Sequence, residues 1–182
     1  MKKKLIIFAL IFTLLLSLAA PALAALAPFP DVYDETTRFE TDILRLLGVV
    51  SGDDRGYFNP GNNLTRAEFC KMAVVIMGKG ADEPLYRNRT IFSDVRSSHW
   101  ARGYINLAVS GDNRIIQGFG DGTFKPDDKI TFAQAVTILL RILEYSDLDA
   151  GMLWPQGYIA LAQSTGLSDG LGGIAAESPI TR

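Results

Sequence analysis

Apolar residues recur at the three- and four-residue spacing of an α-helix in four stretches of this chain, and polar segments that contain glycine separate them. Two stretches, at about 66–77 and about 132–143, are apolar over much of their circumference, which predicts two buried helices. Each follows a shorter stretch with the same spacing. The shorter stretches are marked by Ile43, Leu44 and Leu47, and by Trp100, Tyr104, Leu107 and Ala108. The pattern predicts an all-α fold of helix–loop–helix units, with short extended segments at most.

The two long apolar stretches begin with a recognisable helix cap. Thr65 and Thr131 stand at the expected N-cap positions, and Glu68 and Gln134 follow three residues later. A threonine hydroxyl can accept a hydrogen bond from the third residue of the helix, whose side chain returns to the threonine backbone N–H. The spacing therefore predicts a capping box at each helix start.

An aspartate precedes each of the two shorter stretches and also the segment that begins at Trp154: Asp31, Asp94 and Asp147. Each follows an aromatic residue by two positions and is itself followed by an aliphatic residue. A carboxylate in such a place is suited to accept hydrogen bonds from free backbone N–H groups a few residues further on. We therefore predict that these aspartates cap helices, with direct ligand contact as the alternative.

A longer phrase occurs twice at fixed spacing. Gly56 and Gly122 are followed, at the same offsets, by phenylalanine, proline, an aliphatic residue, threonine and alanine. The members are Phe58, Pro60, Leu64, Thr65 and Ala67 in the first copy and Phe124, Pro126, Ile130, Thr131 and Ala133 in the second. A third copy begins at residues 179–182. Such self-similarity indicates a repeat protein, in which each unit buries its apolar face against its neighbours. The phenylalanines are expected to insert their loops into the core.

A second repeated block sets the unit boundaries. The sequences that begin at Trp100 and Trp154 match without a gap at tryptophan, glycine, tyrosine, isoleucine, leucine and alanine. Together the repeats predict units at 25–78, 91–144 and 145–182, the third incomplete, with a polar surface linker at 79–90. We predict that both tryptophans anchor the core with one exposed edge, and that either ring could instead contact a sugar.

The first 24 residues have the pattern of an export signal. Three lysines at 2–4 precede an apolar run at 5–20, and Ala22 and Ala24 supply the small residues that signal peptidase needs. Cleavage after Ala24 is predicted, and cleavage after Ala27 is the less favoured alternative. The apolar run of 16 residues is shorter than the roughly 20 of a membrane-spanning helix, so a retained anchor is also less favoured.

Charge and cysteine content exclude several classes of function. Loss of the three lysines would take the formal net charge from −2 to −5, and no basic tract would remain for nucleic acid. Cys70 is the only cysteine, so no internal disulfide can form. It is predicted to fill space in a buried helix, since a nucleophilic role would require His99, the only histidine, as its partner. The glycine-rich loops lack the alternating carboxylates of a calcium loop, so no metal site is predicted. No catalytic or cofactor-binding residue is predicted either.

The motifs Phe-x-Asp-Val, Trp-x-x-x-Tyr-Ile, Gly-Asp-Gly-Thr-Phe-x-Pro and Leu-Thr-Arg-Ala-Glu-Phe together resemble the S-layer homology repeat. The resemblance covers essentially the whole chain after the signal. It implies three repeats packed around a pseudo-threefold axis, with ligand grooves between neighbouring lobes. The family's usual role is non-covalent attachment of exported proteins to secondary cell-wall polymers on peptidoglycan, often through pyruvylated sugars.

The resemblance also implies a set of binding residues. The family's binding signature, Thr-Arg-Ala-Glu, occurs in full at 65–68, which assigns Thr65, Arg66 and Glu68 to a ligand site. Arg66 is expected to be exposed at the helix start, where free backbone amides and the helix dipole would assist its guanidinium. The other candidate contacts are Trp100, Trp154, Asp31, Asp94 and Arg182.

The second copy of the signature carries Phe132 where the first carries Arg66. A phenylalanine cannot pair with an anion, so this groove is in doubt. Its ring could stack on a sugar, or it could pack against the third repeat.

The function implied is an exported, non-enzymatic cell-surface module that binds anionic secondary cell-wall polymer or peptidoglycan. Contact with nucleic acid is not expected, nor is contact with membrane after signal cleavage. One alternative is a small wall hydrolase, which would need paired carboxylates or a metal site in a cleft. Another is an S-layer assembly partner that self-associates when another chain completes its third repeat.

Overall fold

The computed structural model describes residues 27–111 and 114–182. The predicted signal sequence lies outside these residues. The chain divides into two compact units, one up to Asn59 and one from Pro60 onwards. Throughout the described residues, no helix is both long and apolar enough to cross a lipid bilayer.

The described residues form five α-helices, one 3₁₀ helix and three isolated β-bridges, as the all-α prediction requires. The 3₁₀ helix spans Gly80–Tyr86. The α-helices are α1 (Glu35–Leu46), α2 (Arg66–Ile76), α3 (Arg102–Ala108), α4 (Phe132–Ile142) and α5 (Gln156–Ser164).

The described part of the first compact unit, residues 27–59, consists of α1 and the loops on either side of it. Asp34 caps α1 by accepting a hydrogen bond from the Thr37 backbone N–H at 2.8 Å. The Phe29 and Phe58 rings are buried with their centroids 5.2 Å apart, so Phe58 inserts its loop into a core as predicted. The Phe39 ring on α1 remains exposed.

Both predicted capping boxes are present. The Thr65 hydroxyl accepts a hydrogen bond from the Glu68 backbone N–H at 3.2 Å, and the Thr65 N–H donates to the Glu68 carboxylate at 2.8 Å. Thr131 and Gln134 make the same two bonds at 3.4 Å each. Because these caps fix the first turn, α2 and α4 begin where the sequence predicts.

The second compact unit is built from pairs of helices that belong to successive predicted repeats. The α2 helix packs on α3, and α4 packs on α5. The larger core surrounds the α2–α3 pair and includes the fully buried Phe124 ring. A smaller core joins α4 to α5. Each pair buries apolar faces that neither helix could cover alone.

Three equivalent residues of the repeated phrase are joined by a closed cycle of backbone hydrogen bonds. The Leu64 N–H donates to the Ile180 carbonyl at 3.0 Å, and the Ile130 N–H donates to the Leu64 carbonyl at 3.0 Å. The Ile180 N–H completes the cycle by donating to the Ile130 carbonyl at 3.2 Å. The isolated bridges flank this cycle, and they are the short extended segments that the sequence allowed.

The prediction that the repeated aspartates cap helices is wrong. The Asp31 carboxylate accepts hydrogen bonds from the backbone N–H groups of Phe58 at 2.8 Å and Asn59 at 2.6 Å. Asp94 accepts in the same way from Phe124 at 2.9 Å and from the next residue, Lys125, at 2.7 Å. These carboxylates therefore fix the glycine-bearing loops. They hold Asn59 and Lys125 in the left-handed conformation, with φ values of 58° and 57°.

The third repeated aspartate, Asp147, is not an N-cap either. The Tyr158 hydroxyl donates a hydrogen bond to the Asp147 carboxylate, and Arg141 donates to the same oxygen at 3.0 Å. The α5 helix instead begins after Pro155, without a side-chain cap.

The segment predicted as a surface linker is more structured than its polarity suggested. Its 3₁₀ helix packs on α2 and α3, and Glu83 within it is buried and paired with Arg87 at 2.5 Å. From α3, the Arg102 guanidinium donates to the Arg89 carbonyl at 2.9 Å, and the Asn106 amide donates to the Tyr86 carbonyl at 2.9 Å. Polar side chains of α3 therefore hold the polar segment against the core.

Cys70 is expected to be unreactive in the folded protein. Its side chain is fully buried in α2, and this burial raises the pKa of the thiol to about 12. At pH 8 only about one thiol in ten thousand would be ionised, and the thiolate is the reactive form. An aromatic disulfide reagent should find no reactive thiol in native buffer and one per chain in denaturant. Rapid labelling of the folded protein would contradict this burial.

Candidate functional site

A cavity of about 420 Å³ lies in the second compact unit, where parts of all three predicted repeats meet. The first residue of α2 lines it, as do residues 116–120, one face of α4 and several residues between 147 and 158. Two of the eight predicted site residues, Arg66 and Trp154, are brought together here. We call this space the Arg66 cavity.

The Arg66 side chain is buried, with 4% of its surface exposed, and its guanidinium is held on several sides. Its Nε donates to the Phe124 carbonyl at 2.9 Å, and its two Nη atoms donate to the Gln134 side-chain oxygen at 2.9 Å and the Gln117 carbonyl at 3.4 Å. Its Cζ lies 4.8 Å from the ring centroids of both Phe119 and Phe124. The orientation of the guanidinium is therefore fixed before any ligand binds.

The prediction that Arg66 would be exposed is wrong. The cause is a contact across the repeats, because residues 117–124 of the next repeat supply both the rings and two of the carbonyl groups around it. Such a contact cannot be recognised from the helix start alone.

The charge on Arg66 has no carboxylate partner within 4 Å among the residues that the structure describes. Burial lowers the pKa of the guanidinium, yet an arginine remains protonated in proteins. Burying a charge without a partner is costly. An anionic group in the cavity would relieve that cost, so the cavity is electrostatically suited to a carboxylate or phosphate.

The start of α2 does not offer the free backbone amides that were expected. The Arg66 and Ala67 N–H groups donate to the carbonyls of Asp128 at 2.9 Å and Pro126 at 3.0 Å, and the Glu68 N–H donates to its cap, Thr65. Neighbouring backbone therefore occupies these donors. Neither Thr65 nor Glu68 lines the Arg66 cavity, so Arg66 is the one residue of the Thr-Arg-Ala-Glu signature placed to contact a ligand there.

The Arg66 cavity is also lined by an aromatic ring and an ion pair. The Trp154 indole N–H donates to the Thr137 hydroxyl at 3.2 Å, while 52% of the residue remains exposed. Asp147 is hydrogen-bonded by Tyr158 and Arg141, and these two bonds hold the pKa of its carboxyl below the usual range. The wall thus combines an apolar ring with polar groups, the combination that suits a sugar.

The remaining predicted site residues lie elsewhere. Trp100 does not line the cavity, and its ring stacks on His99 with centroids 5.9 Å apart. Trp100 is 54% exposed and Trp154 is 52% exposed, so neither tryptophan is the core anchor that the sequence predicted. Asp31 and Asp94 fix loops, as described above. The Arg182 backbone N–H donates to the Asn62 carbonyl at 3.0 Å.

The cavity includes residues that sequence reasoning missed as site residues, chiefly Gln117, Phe119 and Arg141. Arg141 had a recognisable signal, because it is a charged residue within an otherwise apolar stretch of α4 and the equivalent position in α2 is Val75. Gln117 and Phe119 belong to a loop that differs between repeats, so repetition gave no indication of them.

Phe132 occupies the position equivalent to Arg66, and the structure places its ring in the smaller core. It is 5% exposed and belongs to the same buried cluster as Val136, Tyr158 and Ala162. The packing role is therefore the better interpretation of Phe132.

A methyl group at Gly118 is expected to disrupt the loop that covers Arg66. A Cβ there would lie 2.1 Å from the Phe92 ring and 2.8 Å from the Thr123 carbonyl oxygen. We expect Gly118→Ala to lower the free energy of unfolding by about 1–3 kcal/mol, since the backbone oxygen cannot easily move. Gly120→Ala in the same loop is the matched control, because nothing lies within 4 Å of its Cβ position. Chemical denaturation of both variants checks this, and equal stabilities would contradict the loop geometry.

Comparison with known proteins agrees with the residue pattern. The S-layer homology domain family profile matches residues 44–70 and 91–136. A cell surface protein of Thermoanaerobacter kivui is 36% identical over 93% of this chain, and a surface layer protein of Brevibacillus choshinensis is 34% identical over 85% of it. A cellulosome-anchoring protein of Acetivibrio thermocellus is 40% identical over 52% of it.

This chain spans 22%, 14% and 21% of the length of those three relatives, respectively. The similarity thus concerns one region of much larger proteins. The residues that the family profile matches contain both copies of the repeated phrase, both capping boxes and Arg66. The relatives are named as surface and anchoring proteins. The chain therefore belongs to the S-layer homology family.

Proposed function

We propose that this chain is a non-catalytic module that anchors protein to the cell wall by binding an acidic saccharide in the Arg66 cavity. Membership of the S-layer homology family indicates an exported protein of the cell surface. The ligand we propose is an anionic secondary cell-wall polysaccharide or the acidic part of peptidoglycan. One relative is named as a cellulosome-anchoring protein, which supports an anchoring role.

The observation that carries this proposal is the buried charge of Arg66. Its guanidinium is fixed by three hydrogen bonds and two aromatic rings, borders a cavity, and has no carboxylate within 4 Å among the described residues. An oriented guanidinium is the protein group best matched to the two oxygens of a carboxylate. Trp154, which also lines the cavity and is about half exposed, provides a ring on which a sugar can stack.

We further propose that, within the second compact unit, the equivalent segments of the three repeats are arranged around a pseudo-threefold axis. The closed cycle of hydrogen bonds among Leu64, Ile130 and Ile180 supports this arrangement, because each residue stands just before the threonine of its repeat. In that arrangement the Arg66 cavity is the groove to which the first repeat contributes arginine, the second contributes α4 and the third contributes Trp154.

The chemistry of the cavity favours binding over hydrolysis. Asp147 is the one carboxylate among the described residues that line it, whereas a glycosidase of the usual kind uses a pair. Hydrogen bonds from Tyr158 and Arg141 keep the pKa of that carboxyl low. An acid that is ionised at neutral pH cannot protonate a leaving group.

The two equivalent tryptophans provide a matched test. Trp154→Ala should weaken co-sedimentation of the purified protein with wall sacculi by about tenfold, since stacking and burial of an aromatic ring contribute about 1–2 kcal/mol. Trp100→Ala, which removes an equally exposed ring outside the cavity, should leave binding unchanged. Equal losses in both variants, or cleared zones on a sacculus-containing gel, would contradict the proposed function.

A further inference from the structure

A second cavity adjoins the Arg66 cavity and is larger, at about 900 Å³. It is bordered by the end of α2 and the residue Lys79 beyond it, by residues 114–117, and by the end of α4 with residues 144–147. We call it the Lys79 cavity. All of its lining residues belong to the second compact unit.

The two cavities share three lining residues: Gln117, Arg141 and Asp147. The Arg141–Asp147 ion pair, at 3.0 Å, therefore borders both spaces, and Tyr158 hydrogen-bonds to each of its members. The two cavities therefore adjoin at this pair, and we refer to them together as the cleft. Together they exceed the roughly 300–1,000 Å³ of a typical small-molecule site. A cleft of that size suits several linked units better than one small ligand.

The Lys79 cavity carries its own positive charge. The Lys79 and Arg114 side chains are exposed at its border, and among the described residues neither makes a salt bridge or a side-chain hydrogen bond. Among the described residues that line this cavity, the acidic side chains are Glu144 and Asp147, and Asp147 is already paired with Arg141. Two cations thus face one unpaired carboxylate, which leaves a net positive border.

The two ends of the cleft differ in how they hold charge. Arg66 is buried and fixed, so it can select one acidic group at a defined position. Lys79 and Arg114 are exposed to water, so their contribution to binding is modest and falls as the salt concentration increases. This arrangement suits a polysaccharide whose acidic end binds at Arg66 and whose next sugar units lie along the Lys79 cavity.

We propose that the cleft binds at least two consecutive units of an acidic wall polysaccharide, with Lys79 and Arg114 contacting an anionic group beyond the unit at Arg66. This subsite rests on the proposed function and adds to it a preference for polymer over a single acidic sugar. Acidic groups must therefore recur along the polymer.

The test uses acidic polysaccharide released from sacculi and separated by size. Calorimetry would measure the affinity of the whole protein for the smallest acidic fraction and for fractions of several repeating units. Combined Lys79→Ala and Arg114→Ala substitution should weaken binding of the longer fractions about threefold to tenfold at low salt. Binding of the smallest fraction should stay unchanged, and the difference should disappear at about 1 M salt.

A second double variant, Arg96→Ala with Lys129→Ala, removes the same charge from exposed positions that line neither cavity. Its affinities should match those of the wild type. The subsite is overturned if the two double variants bind the longer fractions equally, or if the Lys79 and Arg114 variant loses affinity for the smallest fraction to the same degree. In either case the proposed function would stand, provided that the wild-type protein binds the acidic fractions. If the wild type binds no fraction at all, the proposed function fails together with the subsite.

Discussion

Replacing Arg66 with methionine is expected to abolish measurable binding to acidic wall polymer and to lower the free energy of unfolding by about 2–4 kcal/mol. Methionine keeps a long apolar stem between Phe119 and Phe124 but removes the charge and three hydrogen bonds. Hydrogen bonds to a charged group each contribute about 1.5–3 kcal/mol to stability. Part of this loss is offset, because the variant no longer bears the cost of burying a charge. Chemical denaturation and polymer binding should be measured on the same preparation.

Arg66→Lys is the matched control for charge. It keeps a cation in the cavity but cannot reproduce the forked contacts to Phe124, Gln134 and Gln117. We expect weakened, salt-sensitive binding and a smaller loss of stability. A methionine variant that is as stable as the wild type and still binds polymer would show that Arg66 is neither a structural nor a binding residue.

Phe132→Arg is expected to destabilise the protein by about 3–5 kcal/mol and to create no second binding site. The sequence alone allowed the opposite result, because an arginine at this position would restore the family's binding signature. The ring is buried in the core that joins α4 and α5, so its loss leaves a cavity and introduces a charge into apolar surroundings.

Phe132→Leu serves as the control, since it keeps an apolar side chain in the same core and should cost less. Thermal melting and binding stoichiometry distinguish the two interpretations of this position. A higher stoichiometry at an unchanged melting temperature would mean that Phe132 covers a usable groove, contrary to the packing seen here.

The elements that sequence could predict are those stabilised by neighbours in the chain. The capping boxes at Thr65 and Thr131 depend on residues three positions apart, and their helices begin at the predicted residues. The burial of Phe58 and Phe124 was also predictable, because the phrase that contains them is repeated at fixed offsets among polar residues.

The features that sequence could not predict depend on distant partners. Asp31 binds backbone 27 and 28 residues away, and Arg66 binds carbonyl and amide oxygens 51 to 68 residues away. An aspartate that caps a helix cannot be distinguished by sequence from one that binds the backbone of a distant loop. The buried state of Arg66 follows from a loop of the next repeat, which only the folded chain brings into contact.

The most direct test of the central claim is whether binding requires the acidic groups of the wall polymer. Calorimetry with the wild-type protein should be carried out on purified polymer before and after its carboxyl groups are converted to neutral amides, with polymer length unchanged. We expect saturable binding to the untreated polymer and a loss of at least tenfold in affinity after neutralisation, because a charge-assisted pair with Arg66 would be removed. Equal affinity for both polymers would contradict the central claim.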